Sequence, residues 1–341
     1  MKAQIKPGYD NNRQELADII PIPTPFTLFI TPSQLCNFKC NYCTQSLGVN
    51  TKKRIGFNQQ LLDDATFMTL ANQAAELPGR FKRVLLTGLG EPLVNPNIAE
   101  MVTKLVSLDI AEKYEIFTNA SLLTHGMSDR LISSGLTYLR ISIQGLSSQQ
   151  YKSVTGMEIN FDELLENIKY FYEHRNNCKV YIKIIDSLLN DEADKKKFSH
   201  LFGNICDNIF IEHLLNAQPS MTDHYNDKVG NAATFYGEDS VAREVCPYIF
   251  YTLQTDANGN VFPCPPLGLP LSFSLGNIND ISLKDIWNGE KLRSLRLLQL
   301  KGNRNNHPVC GKCNCYKAFT PESDNIDNHT DRVIKLLQGV I

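Results

Sequence analysis

Six short apolar runs, each followed by a stretch of different periodicity, restrict this chain more than any other feature. They are FTLFITPS (26–33), RVLLTG (83–88), KYEIFTNA (113–120), YLRISIQG (138–145), KVYIKIID (179–186) and NIFIEHLL (208–215). Between them lie DDATFMTLANQAAEL, stopped by Pro78 and Gly79, then IAEMVTKLVSL and FDELLENIKYFYEHR, with apolar residues at helical spacing. Strands alternating with helices in this order build a parallel sheet with right-handed crossovers, either curved into a barrel or doubly wound. In both arrangements the chemistry belongs at the carboxyl ends of the strands.

The notable residues fall there. The loop CNFKCNYC follows the first run, Gly90-Glu91-Pro92 the second, and Thr118-Asn119-Ala120 closes the third. Ser142 and Gln144 end the fourth. Period-two alternation sets Arg140, Ser142 and Gln144 on one face of that run, against Leu139, Ile141 and Ile143 on the other. A polar face on a strand flanked by helices points to a ligand. Residues 216–245 lack a sustained period and mark a domain boundary, as a linker or functional loop.

Charge and hydropathy exclude several partners. The formal net charge is -2 with both signs interspersed, which argues against nucleic acid as an obligatory partner. No run of about twenty apolar residues predicts a membrane span, and the first residues show no secretion signal. The expected location is cytoplasmic. Ten cysteines in such a chain point to metal or redox chemistry before disulfides.

Three of them, Cys36, Cys40 and Cys43, form C-x3-C-x2-C with no fourth nearby. Closely spaced thiolates reach successive irons of one [4Fe–4S] cube. Three leave one iron open to a small molecule, much as an open zinc position accepts water. A structural zinc wants four ligands, and no histidine stands close in sequence. The second group reads C-x12-G-x4-C from Cys246 through Gly259 to Cys264, then C-x2-C at Cys310 and Cys313, with Cys315 adjoining. DANGNVFPCPP predicts a hairpin at Asn258-Gly259. SLKDIWNGEKLRSLRLLQL predicts one helix opened by a Ser282/Asp285 capping box. Together they bring the cysteine pairs into one place, where spacing alone allows zinc as readily as a cluster. Cys178 and Cys206 stand in apolar surroundings and are expected to be packing residues.

The three-cysteine loop with Tyr42 before its last cysteine, TGLGEP (87–92) and RISIQG (140–145), in that order, resemble the signature of the radical S-adenosylmethionine (SAM) superfamily. The resemblance covers roughly residues 25–215. It implies an α/β fold, a partial (β/α)6 TIM-type barrel, carrying a small C-terminal Cys-rich twitch-like extension. The implied organisation is an N-terminal segment (1–24), the barrel (25–215), a linker or substrate loop (216–245), a twitch/SPASM-like domain (246–320) and a tail with a short helix (321–341). It also implies that SAM chelates the open iron and is cleaved reductively to methionine and a 5′-deoxyadenosyl radical. By match to the motifs, Gly90, Glu91 and Pro92 receive the methionine amino group, partly through backbone carbonyls. Ser142, with Thr118 or Asn119, holds the ribose or the carboxylate, and the backbone of Tyr42 meets adenine. Lys183 is a candidate partner for the carboxylate. Gln144 stands where many relatives carry aspartate.

The C-terminal cysteines resemble the SPASM/twitch extension, which holds an auxiliary [4Fe–4S] cluster. The implied ligands are Cys246, Cys264, Cys310 and Cys313; Cys315 would replace Cys313, donate a hydrogen atom or stand by. The resemblance therefore implies an enzyme, a radical SAM oxidoreductase that dehydrogenates or epimerises a carbinol carbon of a sugar, cyclitol or nucleotide-sugar. The twitch-bearing relative with that logic is 2-deoxy-scyllo-inosamine dehydrogenase. Glu212, His213 and Arg140 are the candidate bases, and alternation lets only one of Glu212 and His213 face inward. A reduced flavodoxin- or ferredoxin-type protein would donate electrons. The competing enzyme reading is a peptide-modifying maturase forming thioethers, carbon–carbon crosslinks or epimers. The segment ahead of the first run is expected to be too short for a leader-binding module. The last residues are not Gly-Gly, which argues against the molybdenum-cofactor cyclase. A zinc-stabilised binding protein or an electron carrier is the non-enzyme alternative.

Overall fold

The computed structural model describes residues 1–9, 13–54, 57, 59–215, 234–240, 243–318 and 321–339. Much of the proposed substrate loop, 216–233 and 241–242, lies outside the described residues. All six apolar runs are strands: β2 (Thr27–Ile30), β3 (Arg83–Leu86), β4 (Tyr114–Thr118), β5 (Tyr138–Ile143), β6 (Lys179–Ile185) and β7 (Asn208–Glu212). Each pairs in parallel with the next, Thr27 opposite Arg83, Glu115 opposite Tyr138 and Tyr181 opposite Asn208. Four further strands are present among the described residues: β1 (Gln4–Ile5), β8 (Thr252–Thr255), β9 (Asn260–Phe262) and β10 (Gly276–Asn277). The sheet runs β1-β7-β6-β5-β4-β3-β2-β8-β9-β10. It curves as an open, partial barrel.

Alternation explains which face points where. Leu139, Ile141, Ile143, Val180, Ile182 and Ile184 are fully buried, on the side that the crossover helices cover. The opposite face carries Glu115, Arg140, Ser142, Tyr181, Lys183 and Glu212, joined by ion pairs and hydrogen bonds. Side-chain caps start the helices: Asp63 accepts from Thr66 N, Thr124 from Met127 N, and Asn160 from Glu163 N. No helix among the described residues is long and apolar enough to cross a membrane.

The C-terminal extension is stitched to the barrel by β8, which lies parallel to β2 with Thr252 opposite Thr27. β8 and β9 form the expected hairpin. Asp256 Oδ1 accepts from Asn258 N and Asn260 N, both at 2.9 Å, and Gly259 takes the left-handed backbone (φ 81°) that this turn demands. One expectation is corrected. The stretch 282–300 is two helices, Leu283–Asn288 and Glu290–Leu300, because the chain is extended at Gly289 (φ -74°, ψ 160°). The break lets buried Trp287 donate to Ile22 O at 2.9 Å. Ser282 does cap the first helix, but its hydroxyl, not its backbone N–H, meets the Asp285 carboxylate.

The two ends of the described chain meet. Asp324 binds Arg13 at 2.7 Å and accepts from the Tyr251 hydroxyl at 3.0 Å. Cys178 and Cys206 are buried in the core.

Candidate active site

β2 delivers the chain into the three-cysteine loop, which is fixed from several sides. Gln34 N donates to Gln60 O, Lys39 N to Thr155 O and Asn41 N to Val154 O, each within 3.0 Å. Phe38 is fully buried and packs edge-on against Tyr151. Cys40 is buried, and Cys36 and Cys43 are half-buried. Burial pushes the Cys36 thiol up to about 12 and Cys40 higher still, with the neighbouring thiolates adding to both. Thiols so placed ionise only against a compensating cationic centre, so loading releases protons. Among the described residues no three His, Cys, Asp or Glu converge on a single-ion site.

The Gly90-Glu91-Pro92 turn locks onto this loop. Glu91 N donates to Leu35 O at 2.9 Å. A Cβ on Gly90 would lie 2.3 Å from both Leu35 O and Ser33 O, so only glycine allows this approach. The Glu91 carboxylate is consumed internally. It accepts from Thr118 Oγ1 (2.5 Å), Asn119 N (2.7 Å) and Leu93 N (3.0 Å). Burial outweighs these bonds and lifts its carboxyl to about 7. Backbone carbonyls are what this turn has left to offer a ligand. Asn119 continues the network: its Nδ2 donates to Asn37 Oδ1, whose own amide donates to Ser121 Oγ at 2.7 Å.

Gln144 is turned to the cysteine loop. Its Oε1 accepts from the Tyr42 hydroxyl and lies 3.8 Å from Cys40 Sγ, while Nε2 donates to Ser142 O and Oγ. Lys183 sits level with Ser142 on the next strand. It pairs with Glu212 and lies 4.7 Å over the Phe117 ring. Glu212 also accepts from the Tyr181 hydroxyl at 3.0 Å. Alternation therefore resolves in favour of Glu212 as the inward residue. His213 Nδ1 instead lies 2.7 Å from Asp186 Oδ2. Arg140 is displaced from the strand ends: it pairs with Glu115 at 2.7 Å and donates to Gly8 O at 2.6 Å. Burial opposes its charge, but Glu115 overrides this and holds it protonated beyond the usual arginine range. It cannot serve as a base, so this expectation is corrected.

The second group of cysteines surrounds one cavity. Cys246, Cys264, Cys310, Cys313 and Cys315 line one small cavity with Tyr248, Gln299 and Arg304. Burial raises the thiols, Cys310 to about 11. Gln299, fully buried, spans two of them: Oε1 accepts from Cys246 N at 2.8 Å and Nε2 approaches Cys310 Sγ at 3.5 Å. Arg304 donates to Cys310 O at 2.6 Å and to the Tyr316 hydroxyl at 2.8 Å. Amide donors and a nearby cation suit a thiolate-bound cluster. Cys315 lines the same cavity, and its backbone N donates to Cys313 Sγ at 3.4 Å.

Several of these residues escape sequence reasoning. Buried Gln45 ties the cysteine loop to the glycine turn through Gln34 O and Leu89 O, and Asn37, Gln299 and Arg304 act likewise. Their signal is weak because each is one polar residue without a spacing partner. Asn37 alone, inside the cysteine motif, stood where it could have been noticed.

Two regions of the chain resemble known families. The model of the radical SAM superfamily matches residues 30–194, and that of an iron–sulfur cluster-binding domain, SPASM, matches 246–314. A GTP 3',8-cyclase of Rippkaea orientalis is 29% identical over 162 residues, 47% of this chain and 47% of that protein. The enzyme of that name from Nostoc punctiforme is 32% identical over 121 residues, 36% and 35% of the two chains. The chain spans about half the length or less of these curated relatives. In overall fold it is similar to BtrN in complex with AdoMet and 2-DOIA, at TM-score 0.53 and 19% identity, covering 87% of this chain and 96% of that one. Streptococcus suis SuiB bound to S-adenosylmethionine gives TM-score 0.58 at 17% identity, covering 92% and 79%. Native anSMEcpe with bound AdoMet gives 0.57 at 16%, covering 93% and 98%. At these identities the likeness is one of fold.

Proposed function

From a chain that carries a radical SAM domain followed by an iron–sulfur SPASM domain, we propose an enzyme that oxidises a carbinol carbon of a sugar, cyclitol or nucleotide-sugar. When bound, the first cluster with SAM supplies a 5′-deoxyadenosyl radical that takes a hydrogen atom from that carbon, and the second cluster supplies a place for one electron. The observation that carries the reading is Glu212. It is an inward carboxylate on β7 held by Tyr181 and Lys183 of β6, the strand that lies between it and the one bearing Ser142. A carbon radical bearing a hydroxyl loses its O–H proton far more readily than the parent alcohol. Glu212, paired with Lys183, is the proposed acceptor of that proton. Hydrogen atom, proton and electron then account for the two-electron oxidation to a ketone. Cys315 lies in the cavity of the other four C-terminal cysteines, which supports oxidation over epimerisation, where a free hydrogen donor is wanted. A reduced flavodoxin- or ferredoxin-type protein is the proposed electron source.

The test is anaerobic turnover of cluster-loaded protein with SAM, a reductant, and panels of deuterated aminocyclitols, nucleotide-sugars and short peptides. The expected result is deuterium in 5′-deoxyadenosine together with a ketone product. Glu212→Gln should slow ketone formation about 100-fold, the scale of a lost general base. If no carbinol compound raises 5′-deoxyadenosine above substrate-free controls, the proposal fails. Stimulation by peptides alone would move the protein to the maturase class.

A further inference from the structure

A cavity of about 500 Å³ opens at the amino ends of the barrel strands, facing away from the three-cysteine loop; Thr27, Arg83, Tyr138, Lys179 and Asn208 contribute to its wall. The fold does not require charge here, since this end of such barrels mainly serves stability. Yet among the described residues seven cationic side chains line it against two carboxylates, in a chain whose acids outnumber its lysines and arginines, 36 to 34. Both carboxylates are already engaged, Asp324 by Arg13 and Glu115 by Arg140, each at 2.7 Å. Lys6, Lys82, Arg83 and Lys179 have no carboxylate within ion-pair distance among the described residues. A cavity of this size is roughly one physiological Debye length across, so cations on opposite walls repel one another. A bound anion would relieve that repulsion.

Aromatic side chains, Phe26, Tyr138 and Tyr251 among them, also line the wall. Phe26 stacks on Tyr251, with ring centres 6.1 Å apart, and Lys82 lies 4.1 Å over the Phe26 ring. Cations beside aromatic rings that line the cavity suit a ligand joining phosphate to a planar heterocycle, and the volume is that of an ordinary small-molecule site. We propose that this cavity is a second ligand site, separate from the cluster-and-SAM centre, for a nucleoside di- or triphosphate. It is independent of the reaction proposed above.

The test is calorimetric titration of the anaerobically purified, cluster-loaded protein with ADP, pyrophosphate and adenosine, with SAM at saturation so that its own site takes no ADP. ADP should bind more tightly than pyrophosphate or adenosine and weaken with added salt. The double variant Lys82→Ala/Arg83→Ala should lose at least about tenfold in ADP affinity, the scale of two lost charge-assisted contacts, with SAM cleavage unchanged. Should that variant fail to fold, Lys6→Ala/Lys179→Ala, at two exposed positions, should show the same direction. Absence of ADP binding, pyrophosphate binding as tightly as ADP, or wild-type ADP affinity in a folded variant would each overturn the proposal.

Discussion

Replacing Glu91 with glutamine keeps the shape of the side chain and removes its titration. Burial lifts the carboxyl to about 7 in the folded protein, from the 4.5 of an exposed glutamate. Between those values the folded state retains a proton that the unfolded chain has released. Wild-type stability therefore falls as pH rises through that window and levels off above it; below 4.5 both states are protonated and no penalty applies. The full span is worth about 3 kcal/mol, most of it between pH 5 and 8. The glutamine variant lacks this slope. It also turns an amide N–H₂ towards one of the donors at Thr118 or Asn119, a pH-independent cost of roughly 1–3 kcal/mol. The variant should thus be clearly less stable than wild type at pH 5 and close to it, or above it, at pH 8. Hydrogen exchange of the most protected core amides, measured at each pH, gives the unfolding free energies. Parallel curves for the two proteins would refute the reasoning, as would a wild type that gains on the variant with rising pH. Either would mean that the three hydrogen bonds overcome burial and hold the carboxylate ionised.

Further perturbations probe other parts of the molecule. Gly90→Ala puts a methyl group 2.3 Å from two carbonyl oxygens and should unseat the three-cysteine loop. Iron and sulfide counts should fall by one cluster's share, and an unchanged count would contradict the close-approach argument. Arg140→Met leaves Glu115 buried without its close partner and should cost about 3–5 kcal/mol, with Arg140→Met/Glu115→Gln recovering most of the loss; chemical denaturation reads both. Gln299→Leu removes the donor to Cys310 Sγ and the acceptor of Cys246 N. Potentiometric titration in a background with Cys36, Cys40 and Cys43 changed to alanine should show a lower reduction potential for the remaining cluster. An unshifted potential would remove Gln299 from any role in its tuning.

Much of the architecture was legible in the residues. Strand periodicity, helix caps and the Asn258-Gly259 turn are local properties, set by sterics within a few residues. The motif cysteines were legible for the same reason, since ligand spacing is written along one short loop. What escaped was contact between distant segments. The pairing of β8 with β2 joins residues more than two hundred positions apart, and β1 adds to β7 across a similar gap. Arg140 was expected among the candidate bases because alternation reports the face of a strand and not the depth along it.

The amino-acid sequence by itself determined the repeating strand–helix order, two thiol clusters and the types of group at the strand ends, because each follows from short-range geometry and chemistry. Only the tertiary structure decided that Glu212 rather than His213 turns inward, and that the Glu91 carboxylate is spent on Thr118 and Asn119. It alone gathered cations from several strand starts around one cavity. Those outcomes depend on register, depth and burial, which arise when separate segments pack and which no single stretch of chain encodes.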